Sequence, residues 1–367
     1  METEVIKVDT RSSPEELLTH DGINKGARFL REGEVIAFPT ETVYGLGADA
    51  LKEEAVEKIF AAKKRPKDNP LIIHIARRED LEDLVEGEIP PAVRDLAARF
   101  WPGPLTVILP RSSRVPAITC GGLDTVAVRM PSHPVARALF ARAGVAVAAP
   151  SANLSGLPSP TRADHVLMDM EGEIPLILDG GETPIGVEST VIDMSSENPR
   201  ILRPGGVASH QIKEILGEDT VIEREYKVDK KDGVPRSPGM KYRHYAPRSD
   251  LELLLNTDPG KLYEYACNRK GYRAILMTES TARAIEEETG EKVFSSPGRG
   301  KEEKLKFVLM GRDDQPEDIA HNLFTYLRQL DEEGRELIMV EAIEPEGLGE
   351  AIMNRLRRAA TDVIDLA

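Results

Sequence analysis

Short apolar runs of β type alternate with helical stretches along this chain, and the alternation changes character part-way. Between Glu34 and Ile192, VIAFPT at 35–40 predicts a strand. AVEKIFAAKKR at 55–65 predicts a helix with Val56, Ile59 and Phe60 on one face. LIIHIA at 71–76 reads as a buried strand and AVRDLAARF at 92–100 as a helix. PLTVILP at 104–110 reads as a strand whose prolines limit its ends. TVAVRMP at 125–131, VAVAAPSAN at 145–153 and TVIDM at 190–194 predict three more strands. PVARALFARAG at 134–144 has a proline near its start and a glycine at its end, the asymmetry of a helix. Connections of very unequal length argue against a regular βαβ repeat, so the region reads as irregular α/β.

From about Tyr226 to Ser249 the periodicity fails, and charges, prolines and glycines take over. An interdomain linker is the default reading. It is nevertheless dense in groups that bind phosphate, Arg236, Lys241, Arg243 and His244, and its Tyr242 and Tyr245 can stack or hydrogen-bond. After Ser249, LELLL (251–255), RAILM (273–277), KFVLM (306–310) and LIMVEAI (337–343) read as buried parallel strands. Helical patterns separate them, notably 316–334, which Gly334 stops. This predicts a smaller Rossmann-like α/β domain, without the GxGxxG turn of a dinucleotide site. The expected division is 1–225, a linker or lid at 226–249, and 250–367.

Composition narrows the classes. A length of 367 residues suits two domains, and 40% hydrophobic residues suits globular cores. The longest apolar runs are too short to span a bilayer, and the N-terminal METEVIKVDTRSSPEE lacks an export-type apolar region. Cytoplasmic residence, with no membrane partner, is the expectation. Cys120 and Cys267 are the only cysteines and lie far apart, so neither a disulfide framework nor a cysteine zinc site is expected, and no protein-held metal is predicted. A net charge of −15 opposes indiscriminate binding to polyanions, so nucleotide or RNA contact requires a local basic site.

Candidate chemistry sits where strands end. PTETVYGLGADA (39–50) presents Thr40, Glu41, Thr42 and Tyr44, then Gly45 and Gly47, which let backbone approach a ligand; a tight turn with capping threonines is the plainer reading. Lys63, Lys64 and Arg65 close a helix, a favourable place for solvated cations, yet the loop fixed by Pro66 and Pro70 presents Arg65, Lys67 and Asn69 as a triphosphate would require. His74 lies inside an apolar strand. Trp101 in FWPGP reads as scaffold. Arg129 emerges from a strand interior and must meet an anion, either a structural carboxylate or a ligand's. APSANLSG delivers Ser151, Asn153, Ser155 and Gly156, donors suited to phosphate or ribose, and later stretches bring Glu188, Ser189, Thr190 and Arg203 to strand ends. There is no Walker A sequence, no HExxH and no GxSxG. Residue chemistry alone therefore indicates a phosphorylated ligand and group transfer by positioning and charge neutralisation, without an evident general base.

Taken in order, FPTETVYGLGADA, KKRPKDNPLIIHI, FWPGPLTVIL, AAPSANLSG and GVESTVID resemble the YrdC-like family over nearly the whole chain. SPGMKYRHYAP (237–247) and PEGLGEAIMNRLRRAA (345–360) resemble its long, two-domain threonylcarbamoyl-AMP synthases. The resemblance implies a twisted, open mixed-sheet catalytic domain with a basic cavity, then a Rossmann-like C-terminal domain. It implies synthesis of threonylcarbamoyl-AMP and pyrophosphate from L-threonine, bicarbonate and ATP, with Mg²⁺ carried on the ATP phosphates. A downstream transferase complex would use the product to modify tRNA beside the anticodon, with tRNA itself a further partner. By matching positions, Thr42, His74, Arg129, Ala149 and Ser189 take L-threonine. Lys63, Arg65, Asn69, Thr125, Ser151, Ser159 and Arg203 take ATP, and His244 and Tyr245 form a lid near the pyrophosphate. Lys64 stands where many relatives carry a small residue. The alternatives are an RNA-binding module without turnover, which the acidic balance disfavours, and another carbamoyl-adenylate-forming enzyme, whose additional cysteine clusters are missing here.

Overall fold

The computed structural model describes residues 2–222, 244–290, 293 and 304–367. Most of the segment read as a linker, including Arg236, Lys241, Tyr242 and Arg243, lies outside them. The chain divides into two compact units. One holds residues up to Ser155 and from Ser159 to Ile222, and the other holds Gly156–Pro158 and the described residues from His244 onward.

The first unit is built on a mixed sheet of β1 (Glu4–Lys7), β2 (Ile36–Phe38), β3 (Gly45–Asp49), β4 (Ile72–His74), β5 (Leu105–Pro110), β6 (Thr125–Arg129), β7 (Val147–Ala148), β8 (Leu176–Asp179), β9 (Thr190–Asp193), β10 (Arg200–Arg203) and β11 (Val221–Ile222). Their order is β1-β8-β2-β3-β7-β4-β6-β5-β9-β10-β11. β6 pairs parallel with β4 and antiparallel with β5, while β9 runs parallel to β5 and antiparallel to β10. The two faces follow from the period of two. Ile36 and Phe38 enter one apolar cluster and Ala37 the other, as do Leu176 and Leu178 against Ile177. Helix Asp21–Glu32 buries Ile23, Gly26, Ala27 and Leu30 at helical spacing and stops at Gly33, φ 78°. It packs with Pro134–Ala143, which begins at a proline and ends at Gly144, φ 65°.

Gly45 to Asp49 is a strand and not a ligand-facing loop. A Cβ on Gly47 would come within 2.6 Å of both Phe38 and Val147, so the glycine allows close packing against neighbouring strands. Two glycines among five residues hide the strand signal from any reading of propensity. Lys64 caps the helix Glu53–Lys63 with φ 51°, a left-handed conformation that glycine, and less often asparagine or aspartate, adopts routinely.

The second unit is a wholly parallel five-stranded sheet of β12 (Asp250–Leu255), β13 (Arg273–Thr278), β14 (Leu305–Gly311), β15 (Leu337–Glu341) and β16 (Asp362–Asp365), in the order β14-β13-β15-β12-β16. Helices alternate with the strands, the layered α/β arrangement expected. No helix among the described residues is long and apolar enough to cross a membrane.

Candidate active site

Strand register brings residues far apart in the chain into a single row. His74 on β4 pairs with Arg129 on β6, Arg129 with Thr106 on β5, Thr106 with Val191 on β9, and Val191 with Arg203 on β10. Partners in register share a face of a pleated sheet. A shift in pairing between Ile201 and Arg203 sets where Arg203 meets this row. Beside the row, Ile72, Ile108, Ala127, Val191 and Leu202 form a small apolar cluster separate from the two main cores.

Arg129 is the best-defined member. It is 4% exposed. Its Nε donates to the Gly103 carbonyl at 3.3 Å and its Nη1 to Thr42 Oγ1 at 3.0 Å. Thr42 Oγ1 lies 2.8 Å from Thr40 Oγ1, and Thr40 Oγ1 donates to the Val43 carbonyl at 2.6 Å. This orders the loop after β2 against the arginine. The third nitrogen, Nη2, lies 2.7 Å from Glu41 Oε1. That contact is Coulombic and not an aligned hydrogen bond, and neither atom has an aligned partner among the described residues. A protein carboxylate, one of the two anions left open for Arg129, thus stands beside the guanidinium. Beside it, burial first and the Arg129 charge second push the His74 pKa down to about 3, so the ring is neutral near pH 7.

At the other end of the row, Ser189 Oγ lies 2.8 Å from Thr106 Oγ1. Arg203 donates from Nε to the Ser189 carbonyl at 3.1 Å and from Nη2 to its hydroxyl at 3.2 Å. This contact needs Gly205, because a Cβ there would lie 2.3 Å from the Ser189–Thr190 backbone.

The candidate phosphate loops hold one another. Buried Lys63 donates its ammonium to the carbonyls of Ser151 and Asn153, tying the helix end to the Ser151 loop. Ser151 Oγ donates to Asn153 Oδ1 at 2.5 Å. Arg65 donates to the Pro70 carbonyl at 3.1 Å, and buried Asn69 has no hydrogen-bond partner for Oδ1 among the described residues. Ser159 donates to Glu188 Oε1 at 2.5 Å, and both are buried. Thr125 is half-buried at the start of β6, and the Ala149 amide donates to the Ile72 carbonyl at 2.9 Å.

Two residues expected at the lid belong to the second unit. Tyr245 is buried there with φ 65°, its ring stacked 5.6 Å from that of Phe324 and the Arg355 guanidinium 5.6 Å from its centroid. The His244 ring lies 5.7 Å from that of Tyr245. Trp101 is scaffold, its Nε1 donating to the Leu105 carbonyl at 2.7 Å, although the same turn supplies the Gly103 carbonyl to Arg129. Glu41 and Thr106 join the site with only faint sequence signals, a carboxylate in an otherwise hydroxylic loop and a hydroxyl inside the apolar strand LTVILP. Among the described residues no group of three or more His, Cys, Asp or Glu is arranged to hold a metal ion.

Comparisons with known proteins agree over the full length. Residues 28–205 match the family model described as "Telomere recombination", and 207–361 match that of the threonylcarbamoyl-AMP synthase C-terminal domain. The chain is 48% identical to the threonylcarbamoyl-AMP synthase of Pyrococcus abyssi over 344 residues, covering 92% of this chain and 94% of that one. It is 45% identical to the Bacillus subtilis enzyme of the same name, covering 94% and 95%. The crystal structure of P. abyssi Sua5 complexed with L-threonine superposes with a TM-score of 0.84 at 43% identity, covering 99% of each chain.

Proposed function

The chain belongs to the threonylcarbamoyl-AMP synthase family, and from that premise we propose that the row from His74 to Arg203 floors one site holding L-threonine beside ATP. Thr42, His74, Arg129, Ala149 and Ser189 take the amino acid. Arg65, Asn69, Thr125, Ser151, Ser159 and Arg203 take the nucleotide, with Lys63 positioning the Ser151 loop and adding to the cationic field. The observation that carries this reading is the cross-strand register that aligns His74, Arg129, Thr106 and Arg203.

The chemistry suits such a site. The ammonium of threonine gives up a proton to solvent, and the free amine captures bicarbonate as a carbamate, with loss of water. A carbamate oxygen then attacks the α-phosphorus, the bond to the bridging oxygen breaks, and pyrophosphate leaves with its electrons. The carbamate is already an anion, so the adenylation step requires alignment and charge compensation and no side-chain base. His74, held neutral, adds no positive charge against the amine. Mg²⁺ arriving with ATP would offset part of the phosphate charge, and Arg65 and Arg203 would stabilise what remains. The product is a reactive mixed anhydride, which a tRNA-modifying transferase would consume in the cytoplasm.

The test is pyrophosphate release by the purified protein. It should require L-threonine and bicarbonate together, with threonylcarbamoyl-AMP as the co-product. Release at an unchanged rate without threonine would indicate a different carbamoyl-adenylate chemistry and overturn the assignment.

A further inference from the structure

We infer that Glu41 is a specificity-determining residue, making the amino-acid end of the site select a zwitterion over a carboxylate of the same shape. The inference rests on the reading above, that Arg129 receives the threonine carboxylate.

Glu41 and Arg129 are 5% and 4% exposed, with Glu41 Oε1 and Arg129 Nη2 2.7 Å apart. Their positions are set by other bonds. The backbone N–H of Ser132 donates to Glu41 Oε2 at 3.1 Å, while Gly103 and Thr42 accept from Arg129 Nε and Nη1. What these bonds leave is one buried acceptor, Oε1, and one buried donor, Nη2, side by side and without aligned hydrogen bonds. A buried polar atom left in that state costs about 1–3 kcal/mol, and more for a charged group. Water-exposed pairs tolerate such misalignment, but a pair this buried is expected to find complementary partners.

An α-amino acid carries a donor cation and an acceptor anion on adjacent atoms. Inserted between the two, its carboxylate would satisfy Nη2 and its ammonium Oε1, which requires the pair, closed to solvent in this structure, to part. The pair is neutral in sum, and so is the ligand, so the filled site buries no net charge. A hydroxy acid of the same skeleton would add a lone negative charge beside a neutral, buried pair, which is the expensive case. Without Glu41, Arg129 would hold an unbalanced positive charge and welcome that anion. Glu41 therefore reads the ammonium, and the arginine alone does not.

The experiment compares calorimetric binding of L-threonine, 2,3-dihydroxybutanoate and L-threonine methyl ester to wild type, Glu41→Gln and Arg129→Gln. Wild type should prefer threonine to the hydroxy acid, and Glu41→Gln should shrink that preference by roughly tenfold or more while weakening the cationic ester. An unchanged threonine-to-hydroxy-acid ratio in folded Glu41→Gln overturns the inference. If that ratio is unchanged while Arg129→Gln abolishes threonine binding, the carboxylate reading stands and only the role of Glu41 falls. Undiminished threonine binding by Arg129→Gln removes both. Should Glu41→Gln fail to fold, Glu41→Asp, which keeps the charge at shorter reach, is read instead. It should retain selectivity against the hydroxy acid at reduced affinity, and loss of that selectivity would refute the inference.

Discussion

Both units bury a glutamate, and they treat it differently. In the second unit Glu341 closes β15. Its Oε2 accepts from the Thr278 amide at 2.7 Å and hydroxyl at 3.1 Å, and its Oε1 accepts from Thr281 Oγ1 at 2.5 Å. In the first unit Glu41 faces Arg129 at 2.7 Å with Oε1 lacking any aligned donor among the described residues. The first arrangement is complete as it stands. The second leaves one carboxylate oxygen and one guanidinium nitrogen in an ion pair without an aligned hydrogen bond. A buried charge whose bonds are all internal contributes to architecture, whereas one left without an aligned hydrogen bond calls for a further account, here the proposed amino-acid ligand.

The contrast can be broken most sharply at Arg129. Arg129→Ala strands the Glu41 carboxylate and removes the carboxylate grip, so threonine-dependent pyrophosphate release should fall by about 100-fold or more while ATP affinity changes much less. Equal loss of both affinities would contradict its place on the amino-acid side. Glu341→Ala should do the reverse. Leaving the Thr278 amide without its acceptor, and the Thr278 and Thr281 hydroxyls with only each other and Ser280, should lower the stability of the second unit by about 1–3 kcal/mol in urea unfolding, with kcat/KM per folded molecule unchanged.

Acid should act on the first unit through its buried histidines. Burial is the leading cause that lowers His74 to about 3 and His133 to about 4. Their folded pKa values lie below the unfolded value near 6.5, so the unfolded chain binds more protons between those limits. Stability is therefore full above about pH 6.5 and falls on acidification, by up to about 1.4 kcal/mol per pH unit for each histidine. Trp101, the only tryptophan and part of the first unit, reports this unfolding by fluorescence. His74→Asn should show the shallower acid slope, and an identical slope would mean that the ring does not stay neutral on folding. The smallest effect is expected from Ser189→Ala, which removes a hydroxyl shared with Thr106 and Arg203. About 1 kcal/mol, or roughly fivefold in kcat/KM for threonine, is the expectation.

Much of the frame was legible along the chain. LIIHIA, PLTVILP and TVAVRMP form β4, β5 and β6, because a run of β-branched residues states its own conformation locally. Gly144 ends its helix where expected, because its left-handed φ is a property of one residue. GLGAD was illegible as β3, since what makes it a strand is Phe38 and Val147 packed against its glycines. Arg129 was recognisable as a charge in need of an anion, but whether that anion was Glu41 or a ligand lay beyond any local signal.

Local pattern thus determined some of the helices, among them 55–65 and 134–144, and several strands, whereas helices such as Asp21–Glu32 and Ala163–Met170 went unread. The tertiary structure alone decided that residues 74, 129, 106 and 203 lie in one row, and that Glu41 and Arg129 meet. The reason is that strand order and register arise from burial summed over many distant contacts, and a slip of one residue would turn every side chain of a strand to the opposite face.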